Sequence, residues 1–208
     1  MAEPPDIDVA EIQSLRQEIT ARIGFMNAII GLELAAAGTG LTLLHQSGHV
    51  LGALAAVSSF LWLLWMDQCL SSYKIAAYLA VDLAPRLSAA AGRPVLGWET
   101  FLRRVESGRA ASARALSGAG APRAAGLIRA VRSDWYVPLL FAAVPLGLLG
   151  FYTAAMHDHR VGTSAGTVIA AFAGAMWLLA LIRFADFVRS THVLDRAITA
   201  SGDALPES

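Results

Sequence analysis

The chain has 208 residues, of which 56% are hydrophobic and 15% are charged, and its mean hydropathy is +0.54. Soluble domains carry about 25% charged and about 45–50% apolar residues. The apolar excess therefore argues against an ordinary water-soluble fold, which would have to expose large apolar patches. Sixteen basic residues balance sixteen acidic ones, so no overall charge favours nucleic acid as a partner. With Cys69 as its single cysteine, the chain has no intramolecular disulfide and no cysteine-based zinc site.

Four segments are long and apolar enough to cross a bilayer, which requires about 20 mostly apolar residues. They are Gly24–Leu44, Val50–Leu70, Val137–Met156 and Ser164–Ile182. Very short links join the first two segments and the last two. Because backbone in lipid must satisfy its own hydrogen bonds, each pair is predicted to form a helical hairpin. The predicted fold is all-α, with four transmembrane helices.

The distribution of basic residues predicts the orientation in the membrane. The links His45–His49 and His157–Thr163 contain only Arg160, whereas the other fifteen Lys and Arg lie in the N-terminal, central and C-terminal segments. Cytoplasmic segments carry an excess of Lys and Arg. Both hairpins are therefore expected to point outward, with both termini in the cytoplasm, as in a multi-pass cell-membrane protein.

The predicted organisation has five segments in chain order. A cytoplasmic amphipathic helix, 1–23, precedes the first transmembrane hairpin, 24–70. Cytoplasmic helices and a linker rich in Ala, Gly and Arg follow in 71–134. The second transmembrane hairpin, 135–182, leads to a cytoplasmic C-terminal helix and tail, 183–208.

Several spans are predicted to extend into the cytoplasm as helices. The seam that leads into the first span shows apolar spacings of three and four, and consists of Ile12, Leu15, Ile19, Ile23, Met26 and Ile30. The second span is expected to continue as a helix until Pro85, where proline breaks it. Pro94 is predicted to open a short helix that contains Trp98.

Polar residues inside the predicted spans are the main candidates for function. Glu33 lies near the middle of the first span, where a charged carboxylate costs about 2.5–3.5 kcal/mol and points to function. Asn27 lies on the same segment, and Ser58 and Ser59 lie at a similar depth on the second, where they are able to hydrogen-bond Glu33 if the two spans pack together. Glu33 is either an ion- or proton-handling group, alone or in a ring of carboxylates around an oligomeric pore, or a protonated link between helices.

Charged residues also occur at the predicted inner boundary of the spans. Asp67, Arg183 and Asp186 are expected to pair across helices or to extend toward water. Helix-end charges of this kind are common in membrane proteins, so the structural interpretation is favoured over a functional one.

The outer links contain most of the histidines, namely His45, His49, His157 and His159. Imidazoles suit zinc and copper, but the spacing fits no metal-binding motif. The prediction is therefore that the chain holds no metal, with these four residues as the only candidates.

Four short runs also have a recognisable pattern, namely Leu61–Asp67, Ile75–Leu79, Pro85–Leu87 and Gly97–Glu99. In these runs the chain resembles a loose group of small, uncharacterised bacterial four-span membrane proteins. The resemblance covers the first two spans and the helix that follows them. It implies a bacterial origin and a cytoplasmic-membrane location, and it supplies no catalytic residue.

No pattern in the sequence indicates an enzyme, because no nucleophile is paired with a base, and none implies a cofactor. The leading hypothesis is a homo-oligomeric assembly in the lipid bilayer that conducts ions or perturbs the membrane, with Glu33, Ser58 and Ser59 along its polar route. The alternative is a membrane-anchored scaffold that recruits a cytoplasmic protein through the 12–23 seam and the Trp98 helix.

Overall fold

The computed structural model describes residues 4–43, 48–92, 136–157 and 163–203, and every one of these residues except Gly92 is helical. This confirms the all-α class for the described part of the chain. The helices are α1 (Pro4–Leu43), α2 (Gly48–Tyr78), α3 (Ala84–Ala91), α4 (Tyr136–His157) and α5 (Thr163–Asp203), and the π-helical turn Leu79–Leu83 connects α2 to α3.

Within the described ranges, four helical segments are long and apolar enough to cross a membrane, as the sequence predicted. They are Val9–Leu43, His49–Ala91, Tyr136–His157 and Ser164–Ile198. The predicted seam also enters the first span without a break, since α1 is continuous over 40 residues. The links 44–47 and 158–162, the Pro94 helix with Trp98, and the Ala/Gly/Arg-rich linker lie outside the described residues.

The helix after the second span does not stop at Pro85, contrary to the prediction. The backbone widens into the turn Leu79–Leu83, where the Ala84 N–H bonds the carbonyl of Leu79. Pro85 then lies in the first turn of α3, directly after this wider turn, and a local π-helical adjustment is one of the ways in which a membrane helix accommodates proline. The helical path ends instead at Gly92, whose φ of 63° is the left-handed conformation that glycine adopts after a helix.

The chain divides into two compact units. Unit 1 comprises Met1–Thr20, Ser71–Ser133 and Ser190–Ser208. Among its described residues, the Tyr78 hydroxyl donates a hydrogen bond to the Glu11 carboxylate at 2.7 Å, which ties α2 to α1. Its buried apolar residues are Ala77, Leu79, Leu83 and Ile198.

Unit 2 comprises Ala21–Leu70 and Asp134–Arg189 and contains the most apolar parts of the four long helices. The central helix is α2, because half of its most apolar stretch is buried, against 17–22% for the other three. The close approach of α4 to α2 depends on Gly52 of α2, because a Cβ at this position would lie 3.1 Å from the ring of Tyr152 on α4. On α1, Leu148 packs directly over Gly40 and leaves no room for a Cβ.

Two apolar clusters fill the described part of unit 2. The larger one contains both tryptophans of α2, Trp62 and Trp65, with ring contacts to α4 and α5. Its buried members are Ile29, Leu61, Trp62, Trp65, Met66, Val137, Phe141 and Ala180. The smaller cluster consists of Leu51, Ala55, Leu148, Tyr152 and Ala173. Along α2, Ser58 and Ser59 lie between the members of one cluster and those of the other.

Candidate functional site

Glu33 faces the interior of unit 2 because it belongs to the inner stripe of α1. This stripe has the alternating three- and four-residue spacing of a helix face that packs on another helix, and consists of Arg22, Met26, Ile29, Glu33, Ala36 and Gly40. From Ile29 onward its members are buried, and Glu33 is 0% exposed. The position of the carboxylate therefore follows from the packing period of α1.

The inner stripe of α1 differs at one position from the apolar seam predicted between Ile12 and Ile30. Ile23 was expected to lie on the packed face, but its side chain is 47% exposed. The packed position next to it is taken by Arg22, whose guanidinium donates a hydrogen bond of 3.0 Å to the Gln68 side-chain oxygen on α2. This contact between helices went unpredicted because apolar periodicity does not register an arginine that packs inward.

The Glu33 carboxylate accepts a hydrogen bond from the Ser58 hydroxyl of α2 through Oε1. The contact predicted between Glu33 and the serines of the second span is thus confirmed for Ser58. Ser59 is equally buried, but its hydroxyl donates to the Ala55 carbonyl of its own helix at 2.9 Å. Glu33, Ser58 and Ser59 form a polar layer between the two apolar clusters.

Two buried polar atoms have no hydrogen-bond partner among the described residues, Glu33 Oε2 and Trp62 Nε1. Trp62 follows Ser58 by four residues, so the two side chains project from the same face of α2 one turn apart. Trp62 is 1% exposed and packs against the ring of Phe184, with centroids 5.5 Å apart. The sequence patterns did not single out Trp62 for function, although its i, i+4 spacing from Ser58 puts both residues on the same face of α2.

Asn27 does not join the polar layer. It lies six residues before Glu33, which on a helix turns its side chain by about 120° away from that of Glu33. Its side chain is exposed on the outer face of α1. Of the four polar residues predicted within the spans, the structure places Glu33, Ser58 and Ser59 in the interior.

The charges expected at the inner boundary lie on the surface of unit 2. Asp67 and Arg183 are both exposed. Asp186 pairs with Arg189 at 3.8 Å, three residues further along α5 and not across helices. Exposed pairs of this kind contribute little to stability.

The histidines are described only in part, since His45 and His159 lie outside the described residues. His49 Nδ1 is 3.4 Å from the hydroxyl of Tyr152, which donates to the Gly166 carbonyl at 3.1 Å. His157 is exposed. Among the described residues, no three His, Cys, Asp or Glu side chains are grouped as metal ligands.

Comparison of the chain with protein-family models, with curated proteins and with solved structures finds no match. The chemistry of the polar layer is therefore the basis for a functional proposal. The layer offers a desolvated carboxylate with one hydroxyl donor and one oxygen that has no partner among the described residues, and the unpartnered Trp62 N–H belongs to the residue one turn along α2 from Ser58. Such a group is suited to taking up and releasing a proton or another small cation.

Replacing Ser58 by alanine is expected to destabilise the protein, because it leaves both Glu33 oxygens buried without a donor. A buried polar group that loses its partner costs about 1–3 kcal/mol. Ser59→Ala is the matched control, since its hydroxyl bonds only a carbonyl within its own helix, and we expect a loss below about 1 kcal/mol. SDS titration of both purified variants, followed by circular dichroism, measures the difference. Equal losses in the two variants would contradict the importance of the Glu33 bond.

Proposed function

We propose that the chain is a multi-pass integral membrane protein that conducts ions through the interior of unit 2, with Glu33 as the group that exchanges them. The observation that carries this proposal is the fully buried carboxylate near the middle of the apolar segment 24–44, with one oxygen bonded to Ser58 and the other without a partner among the described residues.

The distribution of apolar and polar side chains in unit 2 supports its insertion in lipid. Large apolar side chains face outward on each of its long helices, for example Leu32 at 57%, Phe60 at 50%, Leu139 at 67% and Phe172 at 60% exposure. Its buried polar residues, by contrast, form the layer around Glu33. A water-soluble bundle turns its polar residues outward, whereas lipid favours apolar residues at the surface.

The contacts within unit 2 support the two hairpins proposed from the sequence. Between α1 and α2, Arg22 bonds Gln68 and Glu33 bonds Ser58, so later residues of α1 meet earlier residues of α2. Between α4 and α5, the Trp177 indole bonds the Ala142 carbonyl and Tyr152 bonds Gly166. Both pairs therefore run antiparallel. Together with the fifteen basic residues outside the links, this supports outward hairpins and cytoplasmic termini.

The burial of Glu33 within one chain favours an ion route inside a single copy over a pore between copies. A ring of carboxylates around an oligomeric pore needs Glu33 at the surface of each copy, but its side chain is 0% exposed. The proposed route therefore runs between the helices of a single chain.

Homo-oligomerisation remains part of the proposal and involves a different face of α1. Small residues recur there at spacings of three and four, and all of them are exposed: Ala21, Gly24, Ala28, Gly31, Ala35 and Gly38. A Cβ at Gly24, Gly31 or Gly38 would meet nothing within 4 Å. Small residues at this spacing let transmembrane helices of two copies approach closely.

Replacing Glu33 by glutamine is expected to abolish ion flux without unfolding the protein. Glutamine keeps the side-chain length and an oxygen that accepts the Ser58 hydroxyl, but it cannot exchange a proton or carry charge. Purified protein is reconstituted into liposomes, and the flux of protons, sodium and potassium is followed with separate indicators under an imposed diffusion potential.

Asp67→Asn is the matched control, because it makes the same carboxyl-to-amide change at an exposed position. We expect wild type and Asp67→Asn to conduct alike and Glu33→Gln to fall to the level of empty liposomes. If wild type and Glu33→Gln give the same flux of every ion, Glu33 is a structural link between helices and the conduction proposal is wrong.

The proposed orientation predicts opposite accessibility for two exposed positions. In a Cys69→Ala background, a cysteine in place of His157 is expected to react with a membrane-impermeant maleimide added to intact cells. A cysteine in place of Arg196 is expected to react only after the cells are permeabilised. Labelling of both cysteines in intact cells, or the reverse pattern, would contradict the orientation.

A further inference from the structure

We infer that the ion exchanged at Glu33 is a proton, and that it reaches the carboxylate through a water molecule held between Trp62 Nε1 and Glu33 Oε2. This inference rests on the proposed conduction and specifies its substrate. Its starting point is that the two buried atoms without a hydrogen-bond partner among the described residues are a donor and an acceptor.

Helix geometry is the reason for assigning one small molecule to both atoms. Ser58 bonds Glu33, and Trp62 lies four residues further along the same face of α2, so the backbone positions of Ser58 and Trp62 differ by about 6 Å along the helix axis. A water molecule that makes two hydrogen bonds of about 2.9 Å each reaches across a separation of that order. Buried polar groups in native proteins are normally satisfied by protein or by ordered water.

The indole of Trp177, also in unit 2, shows the contrast. Trp177 also lies among the helices, and its N–H donates to the Ala142 carbonyl at 3.2 Å. Trp62 has no such carbonyl within reach, so its N–H points to a partner that is not part of the described chain.

The chemistry of the two atoms selects water and protons over alkali metal ions. A hard cation is bound by several oxygen ligands, whereas the Trp62 N–H presents the positive end of its dipole. The buried polar side chains among the described residues are Glu33, Ser58 and Ser59, and the Ser58 proton already points at Glu33. Ser59 turns its hydroxyl to Ala55. A water molecule accepts from the indole and donates to the carboxylate, so it satisfies both atoms.

Proton exchange at Glu33 is balanced in atoms and charge without a further reactant. A hydronium ion arriving from one side gives a proton to Glu33 Oε2, an O–H bond forms there, and a water molecule is left at Trp62. Release reverses the step toward the other side. Within the described part of unit 2, the other titratable groups lie toward the helix ends and do not compete at this depth: Arg22, His49, Asp67, Cys69, Tyr136, Tyr152, His157, Arg183, Asp186 and Arg189.

Wild-type protein in liposomes tests the ion directly. With a pH-sensitive dye inside one set of vesicles and sodium or potassium indicators in others, we expect proton flux above that of empty liposomes and no sodium or potassium flux. Glu33-dependent flux of sodium or potassium with no proton flux would overturn this inference and leave the conduction proposal intact. Flux of no ion in the wild type would overturn the conduction proposal itself.

Trp62→Phe tests the water bridge, because phenylalanine keeps the ring contact with Phe184 and removes the N–H. We expect proton flux to fall several-fold in this variant. Trp177→Phe is the matched control, which removes an indole N–H bonded to Ala142, and its flux should equal that of wild type. Equal flux in Trp62→Phe and wild type, with both proteins folded by circular dichroism, would overturn the role of Trp62.

Discussion

The hydrogen bond from Ser58 to Glu33 joins α1 to α2 near the middle of their apolar stretches, and the other features of unit 2 are arranged around it. A carboxylate at this depth is tolerated only when it turns away from lipid toward a donor. That requirement fixes which face of α1 packs inward. It brings Ile29 and Ala36 into the interior with Glu33 and leaves Leu32 and Leu34 at the surface.

The central position of α2 explains how one unit combines a polar layer with two apolar clusters. Gly52 and Ala55 allow α4 and α5 to approach closely at one end. Trp62 and Trp65 fill the wider space at the other end through ring contacts with Phe141, Phe184 and Phe187. The serines between these regions are the residues that meet Glu33. The same helix thus supplies the packing and the polar partners.

Much of this arrangement could be predicted from the sequence, because it follows from composition and periodicity. The four apolar helices, the unbroken α1 and the Glu33–Ser58 contact all rest on patterns that a single chain displays. The inward arginine at position 22 was missed because its partner, Gln68, is distant in sequence. The passage of the helix through Pro85 depends on the π-helical turn before it, and no local propensity indicates that turn. Trp62 was missed because the sequence does not show which indole lacks a partner.

The central claim is that Glu33 faces Ser58 of its own chain, inside a single copy of the protein. A Cys69→Ala chain with cysteines in place of Glu33 and Ser58 tests this directly when a short thiol cross-linker is applied to membranes containing mixed ¹⁴N- and ¹⁵N-labelled copies. Mass spectrometry distinguishes links within a chain, which carry one isotope, from links between chains, which carry both. A Gly31→Cys, Ser58→Cys pair provides the control, since Gly31 lies on the outer face of α1. We expect single-isotope links from the first pair and none from the control. Mixed-isotope links from the first pair would show that Glu33 faces another copy, and would contradict this structure of the site.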